Sequence, residues 1–129
     1  VVVLVNENTY SDGEALAEGF KQLGLGTTIG MRTWGGQIWL NSSNRQSDGG
    51  LARAPMIGVY GNNGDWLIEG RGYEPDIVLD NLPHETYNGK DAQLEAAIDL
   101  LKKKILEDPR DVPKVPAYPD KSFKYNRKE

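Results

Sequence analysis

The opening of the chain constrains the fold more than any other segment. Residues 1–5 are an unbroken apolar run of four valines and a leucine. A continuous β-branched run suits a strand covered on both faces better than an alternating, half-wet one. A short polar turn follows, and a helical pattern starts near Asp12. Leu16, Phe20 and Leu23 recur at i, i+4 and i+7 with Ala15 beside them, and Gly24 supplies the C-terminal stop. Residues 27–29 read as a second short strand. Strand, helix, strand in this order favours a parallel pair joined by a right-handed crossover, and so an α/β architecture.

The middle of the chain changes character. Residues 37–40 and 51–54 read as strands around a polar loop at 41–50. Residues 56–60 and 65–68 flank Gly61-Asn62-Asn63-Gly64, where Asn63-Gly64 is a tight-hairpin signal. Glu74-Pro75-Asp76 reads as a turn into a last strand at 77–79: proline fixes the turn and Asp76 bonds locally. A second helix is expected from about 91 to 107, with the stripe Leu94, Ala97, Ile98, Leu101 and Ile105 and with Lys102, Lys103 and Lys104 near its negative end. Pro109, Pro113, Pro116 and Pro119 then punctuate an extended tail.

A length of 129 residues supports one domain with a modest core. A net charge of −4 argues against a nucleic-acid surface, and no apolar run approaches the roughly 18 to 20 residues that span a bilayer. There are no cysteines and a single histidine, His84, so no thiolate or multi-histidine metal site arises from this chain, and neither metal nor cofactor is expected. The chain begins without Met, directly in a strand, and reads as a piece of a longer polypeptide. A cytoplasmic location is the expectation, with a periplasmic one left open by the lack of cysteine.

Ser11 lies between the first strand and the first helix, where free helix N–H groups can stabilise a developing negative charge. Nucleophilic serines are presented this way. Ser11-Asp12-Gly13-Glu14 also matches the capping box S-x-x-E, in which the two side chains satisfy each other's backbone donors. A nucleophile needs a base and oxyanion donors. The Asp12 amide is a candidate donor, but no base is evident: His84 sits in a polar loop at 81–86, and no lysine falls in Thr33-Trp34-Gly35-Gly36-Gln37. Read locally, Glu69 is an exposed hairpin carboxylate.

The motifs in order are Asn6-Glu7-x-x-x-Ser11, Leu25-Gly26, Ile29-Gly30-Met31-Arg32-Thr33-Trp34-Gly35-Gly36 and Gly72-Tyr73-Glu74-Pro75-Asp76-Ile77. Over about the first 80 residues this series resembles the catalytic core of tail-specific serine peptidases. Gly36 stands where one branch carries a dyad lysine. Ser11-Asp12-Gly13 and Arg32-Thr33-Trp34-Gly35-Gly36 instead resemble the tricorn branch.

That resemblance implies a ClpP/crotonase-like α/β fold, a mixed sheet with flanking helices, present here as a partial domain. It implies a tetrad of nucleophilic serine, histidine base, second serine and glutamate. Ser11 matches the nucleophile, the Asp12 amide an oxyanion donor, and Glu69 the glutamate that orients the tetrad through the second serine. The histidine and second serine belong upstream. Residues 1–108 would then be the C-terminal part of a serine peptidase core and 109–129 its tail. The intact parent would hydrolyse oligopeptides through an acyl-enzyme and associate as a homo-oligomer, while the isolated chain would be inactive. The competing readings are a non-catalytic peptide-binding or assembly module on the same fold, and a tail that straps onto a neighbouring subunit.

Overall fold

The computed structural model describes residues 1–122; the end of the expected tail, 123–129, lies outside the described residues. In chain order the elements are β1 (Val2–Val5), α1 (Asp12–Gln22), β2 (Thr27–Gly30), β3 (Trp39–Leu40), β4 (Pro55–Ile57), β5 (Ile77–Val78), α2 (Pro83–Tyr87) and α3 (Ala92–Glu107). β1, β2 and β5 form a parallel sheet in the order β1-β2-β5, with Val3 opposite Thr28 and Ile29 opposite Ile77. The architecture is α/β as expected. The antiparallel component stands apart from the sheet, because β3 and β4 pair only with each other.

Strand alternation sends Val3 and Val5 to the same face of β1. There they pack with Ala17 and Tyr73, the heart of a small core. The run is less covered within this chain than its composition suggests, since Leu4 is 40% exposed. α1 also buries a different stripe from the one its leucines suggest. Glu14, Ala17 and Phe20, spaced by three, point inward, while Leu16 and Leu23 are exposed. The helix ends in a Schellman motif: Leu25 N–H donates to the Phe20 carbonyl (3.1 Å) and Gly24 N–H to that of Lys21 (3.0 Å), with Gly24 at φ 62°. α3 packs on β1 and β2, and Asp91 caps it by accepting from Leu94 N–H (2.9 Å).

Four local expectations need correction. No strand forms at 51–54: β3 pairs instead with Pro55–Ile57, at the start of the 56–60 segment, and the hairpin closes through Ala52 N–H to the Asn44 carbonyl (2.9 Å) and Gln46 N–H to that of Gly50 (2.9 Å). Asn63-Gly64 does turn the chain, but the flanks meet only at one bridge, Tyr60 with Trp66. His84 lies on the short helix α2 rather than in a loop, and it is exposed. Asp76 bonds far along the chain instead of locally. Its Oδ2 accepts from Thr28 N–H (2.9 Å) and from the Thr28 hydroxyl (2.8 Å), which locks the turn to β2. After α3, residues 109–122 carry no regular element and are exposed. No helix among the described residues is long and apolar enough to cross a membrane.

Candidate active site

The polar turn after β1 sets a half-buried Ser11 at the start of α1. Thr9 N–H donates to the Asn6 carbonyl (2.9 Å), and Asn6 N–H donates to the Thr9 hydroxyl (3.1 Å), which folds the chain back before α1 begins. Ser11 takes φ 53° and ψ −119°, the one positive φ outside glycine among the described residues. An L-residue there carries strain of roughly 1–3 kcal/mol, which persists only where the surroundings enforce it.

Ser11 and Glu14 stand in the capping-box arrangement, but the serine hydroxyl makes no hydrogen bond in it. Ser11 N–H donates to Glu14 Oε2 (3.0 Å), but Glu14 N–H goes to the Ser11 carbonyl (2.9 Å), and the Ser11 hydroxyl makes no capping bond. The Asp12 amide donates to no group among the described residues.

A groove of about 620 Å³ opens beside this turn. Tyr10, Ser11 and Asp12 form one side, Trp34, Gly36 and Ile38 another, and Leu40, Arg53 and Pro55 of the β3–β4 hairpin a third, with Glu69 also on its wall. Trp34 stands edge-on to Tyr10, with centroids 6.0 Å apart, so the exposed indole is held in place. Trp34 and Trp39 line the groove, whereas Trp66 packs against Tyr60 away from it. The groove wall includes no histidine and no lysine among the described residues, and His84 is not part of it.

Glu69 is fixed by backbone. Its Oε2 accepts from Gln37 N–H (2.7 Å) and Ile38 N–H (2.8 Å), while Oε1 has no partner among the described residues. Ser11, the Asp12 amide and Glu69, 58 positions apart in sequence at the extremes, thus border one groove.

Glu14 is the residue that sequence reasoning undervalued. It is wholly buried, and it accepts four bonds: Thr33 Oγ1 (2.5 Å) and Gly35 N–H (2.6 Å) at Oε1, Gly36 N–H (2.9 Å) and Ser11 N–H (3.0 Å) at Oε2. An ionised carboxylate, which only accepts, matches four donors. A sequence signal existed: Glu14 begins the same i, i+3, i+6 face as Ala17 and Phe20, so the buried stripe includes it.

Between β2 and the turn ahead of β5, Thr28, Tyr73 and Asp76 form a second polar cluster. Thr28 Oγ1 lies 2.8 Å from Tyr73 Oη and accepts from Asp76 N–H (2.9 Å). The Thr28 amide and hydroxyl, followed by the Lys21 ammonium, hold the Asp76 carboxyl below its ordinary value. Burial pushes the Tyr73 phenol above its ordinary 10.0, against the opposing pull of Thr28 and Lys21.

The sequence model of peptidase family S41 matches residues 1–79, well over half of the chain. Among curated proteins, the tricorn protease of Thermoplasma acidophilum is 32% identical over 91% of this chain and 11% of its own length. A putative tricorn-like protease C-terminal subunit of Sulfurisphaera tokodaii is 37% identical over 83% of this chain and 12% of its own length. The chain therefore spans about a tenth of the length of these relatives. Among solved structures, the tricorn protease superposes with a TM-score of 0.78 at 34% identity, covering 81% of this chain and 10% of that one. A photosystem II D1 C-terminal processing protease superposes at 0.52 and 33% identity over 61% of this chain and 20% of that one. With a parallel β-α-β core, a strained serine at its first turn and this family match over the same residues, the chain belongs to peptidase family S41.

Proposed function

We propose that this chain is the nucleophile-bearing part of a tricorn-type serine peptidase, a partial domain of ClpP/crotonase-like fold that extends to about residue 108. The observation that carries this reading is the conformation of Ser11. A residue that only capped α1 would use its hydroxyl on the helix and adopt an unstrained backbone. Ser11 instead keeps its hydroxyl unengaged at φ 53°, beside an unpaired Asp12 amide, on a groove of about 620 Å³.

In this scheme an upstream histidine takes the Ser11 proton as Oγ bonds to the scissile carbonyl carbon. The carbonyl oxygen becomes an oxyanion facing the Asp12 N–H. Collapse expels the amine, which receives the proton from the histidine, and water then hydrolyses the acyl-enzyme by the same relay. Glu69 has one carboxylate oxygen tied to two amides and one left over, which suits a residue that orients the second upstream serine. The exposed apolar side chains Val1, Leu4, Leu23 and Leu25 suit a chain that packs against further protein, whether the upstream half or another copy in a homo-oligomer. The substrate class is oligopeptides. The isolated chain is inactive, because its groove brings no base to Ser11; loss of a triad member typically costs about 10⁴-fold.

Labelling of the longer parent protein with a fluorophosphonate, mapped by mass spectrometry, tests this. Modification at Ser11, lost on heating, is the expected result. A folded parent that leaves Ser11 unmodified returns the serine to a helix terminus and favours a non-catalytic peptide-binding or assembly module.

A further inference from the structure

Glu14 is a buried titratable group with no part in the relay above, and its bonds exceed what a helix terminus needs. A capping box asks one oxygen of the glutamate to bond one amide. Glu14 engages both oxygens, and three of its four donors, the Thr33 hydroxyl and the Gly35 and Gly36 amides, come from the segment after β2. The next two amides, Gln37 and Ile38, bond Glu69. Four successive backbone N–H groups are thus divided between two carboxylates. Gly70 N–H, adjoining Glu69, closes the arrangement on the Gly35 carbonyl (2.9 Å).

We infer that Glu14 is a positioning residue for the nucleophile: its buried carboxylate holds Ser11 in the strained turn and sets that turn against the 35–38 segment that carries Glu69. The inference rests on the reading of Ser11 as nucleophile. Glu14 moves no proton, because both of its oxygens are occupied by donors. Its effect is on where Ser11 sits relative to Glu69, and a displacement of about 1 Å costs on the order of 100-fold in rate.

Glu14→Gln keeps the shape and breaks the match. Whichever way the amide turns, its NH₂ meets donors: Ser11 and Gly36 on one side, or Thr33 and Gly35 on the other. The Thr33 hydroxyl can rotate to accept, so the least damaging orientation still strands Gly35 N–H.

The full 129-residue chain is followed by amide hydrogen exchange, and the longer parent by fluorophosphonate labelling rate and peptide kinetics. E14Q is expected to speed exchange at Gly35 about tenfold or more while Gln37 and Ile38, held by Glu69, stay as in wild type. Labelling of Ser11 is expected to fall roughly 10- to 100-fold, with kcat reduced and KM unchanged. Glu18→Gln, on the same helix and bonded only to Gln22 (2.9 Å), serves as the control with wild-type values. Unchanged exchange at Gly35 and Gly36, or a labelling rate within twofold of wild type, overturns the inference. If E14Q does not fold, Thr33→Val removes one donor to Glu14 and also the acceptor of Tyr73 N–H (2.7 Å), while Thr33→Ser retains both: faster exchange at Gly35 together with slowed labelling in the valine variant alone supports the clamp, and equal rates overturn it. A wild-type parent that is not labelled at all refutes the nucleophile and the positioning role with it, while the exchange data still report on the clamp by themselves.

Discussion

The Thr28 hydroxyl is used to capacity, which makes its removal a quantitative test of how β2 is tied to the turn ahead of β5. Thr28 is wholly buried and Tyr73 is 1% exposed. The hydroxyl donates its one proton to Asp76 Oδ2 and accepts from Asp76 N–H, so its remaining lone pair accepts the Tyr73 proton. Thr28→Val conserves volume and opens no cavity. It strands the buried Tyr73 hydroxyl, at about 1–3 kcal/mol, forfeits a charge-assisted bond to Asp76 of about 1.5 kcal/mol, and releases the N–H of the exposed Asp76. Asp76 Oδ2 retains the Thr28 amide, so the expected total is about 3 kcal/mol. Urea unfolding of the chain, followed by circular dichroism, should show a midpoint lowered by about 2 M for a slope near 1.5 kcal/mol/M. Tyr73→Phe alone should cost about 1 kcal/mol. The double variant contains no stranded phenol, so it should be more stable than the sum of the singles predicts by about 1–2 kcal/mol. A Thr28→Val cost within 0.5 kcal/mol of zero (roughly the effect of a neutral surface change), or strict additivity in the cycle, would refute the reasoning.

Asp76 has its carboxyl held below the ordinary 3.8, first by the Thr28 amide and then by the Thr28 hydroxyl. A depressed folded value means that its contribution is complete above the unfolded value and is lost as pH falls from about 4 toward the folded one. Acid titration of stability should therefore show a steeper fall below about pH 4 in wild type than in Asp76→Asn. The Ser11 turn makes a contrasting prediction. Ser11→Ala should change stability by less than about 0.5 kcal/mol, against about 1 kcal/mol for a true N-cap, because the hydroxyl makes no capping bond. Ser11→Gly should stabilise the chain by about 1 kcal/mol, since relief of strain exceeds glycine's entropy cost. Thermal melts of the two variants check both numbers, and a destabilised Ser11→Ala would restore the serine to an ordinary cap.

Much of the fold was legible in the residues because the signals were local. The valine run, the Gly24 stop and Asp91 ahead of an amphipathic stripe each act within a turn or two of chain, and β1, α1 and α3 lie where those signals put them. The β-α-β opening required a parallel neighbour, and Val3 finds it in Thr28. The hairpin register was not legible. Its strands are short and largely exposed, so no buried face specifies which residues pair, and β4 forms at Pro55–Ile57 instead of at 51–54.

The candidate site divides along the same line. Ser11 at a strand-to-helix turn, and Asp12 after it, follow from the order of elements. Glu14 was legible as a capping partner at the head of the face that Ala17 and Phe20 continue, and Asp76 only as a turn residue. Their bonds to Thr33, Gly35, Gly36 and Thr28 cross between 19 and 48 positions of chain. A local pattern can state that a carboxylate begins a helix; which amides reach it depends on how two separate segments meet. By itself the sequence determined a parallel α/β core with a serine at its first turn, because periodicity and turn chemistry are short-range. Only the tertiary structure decided that this serine would be strained with its hydroxyl unengaged, with Glu14 beneath it and Glu69 on the same groove, because burial brings distant donors to a carboxylate that water can no longer solvate.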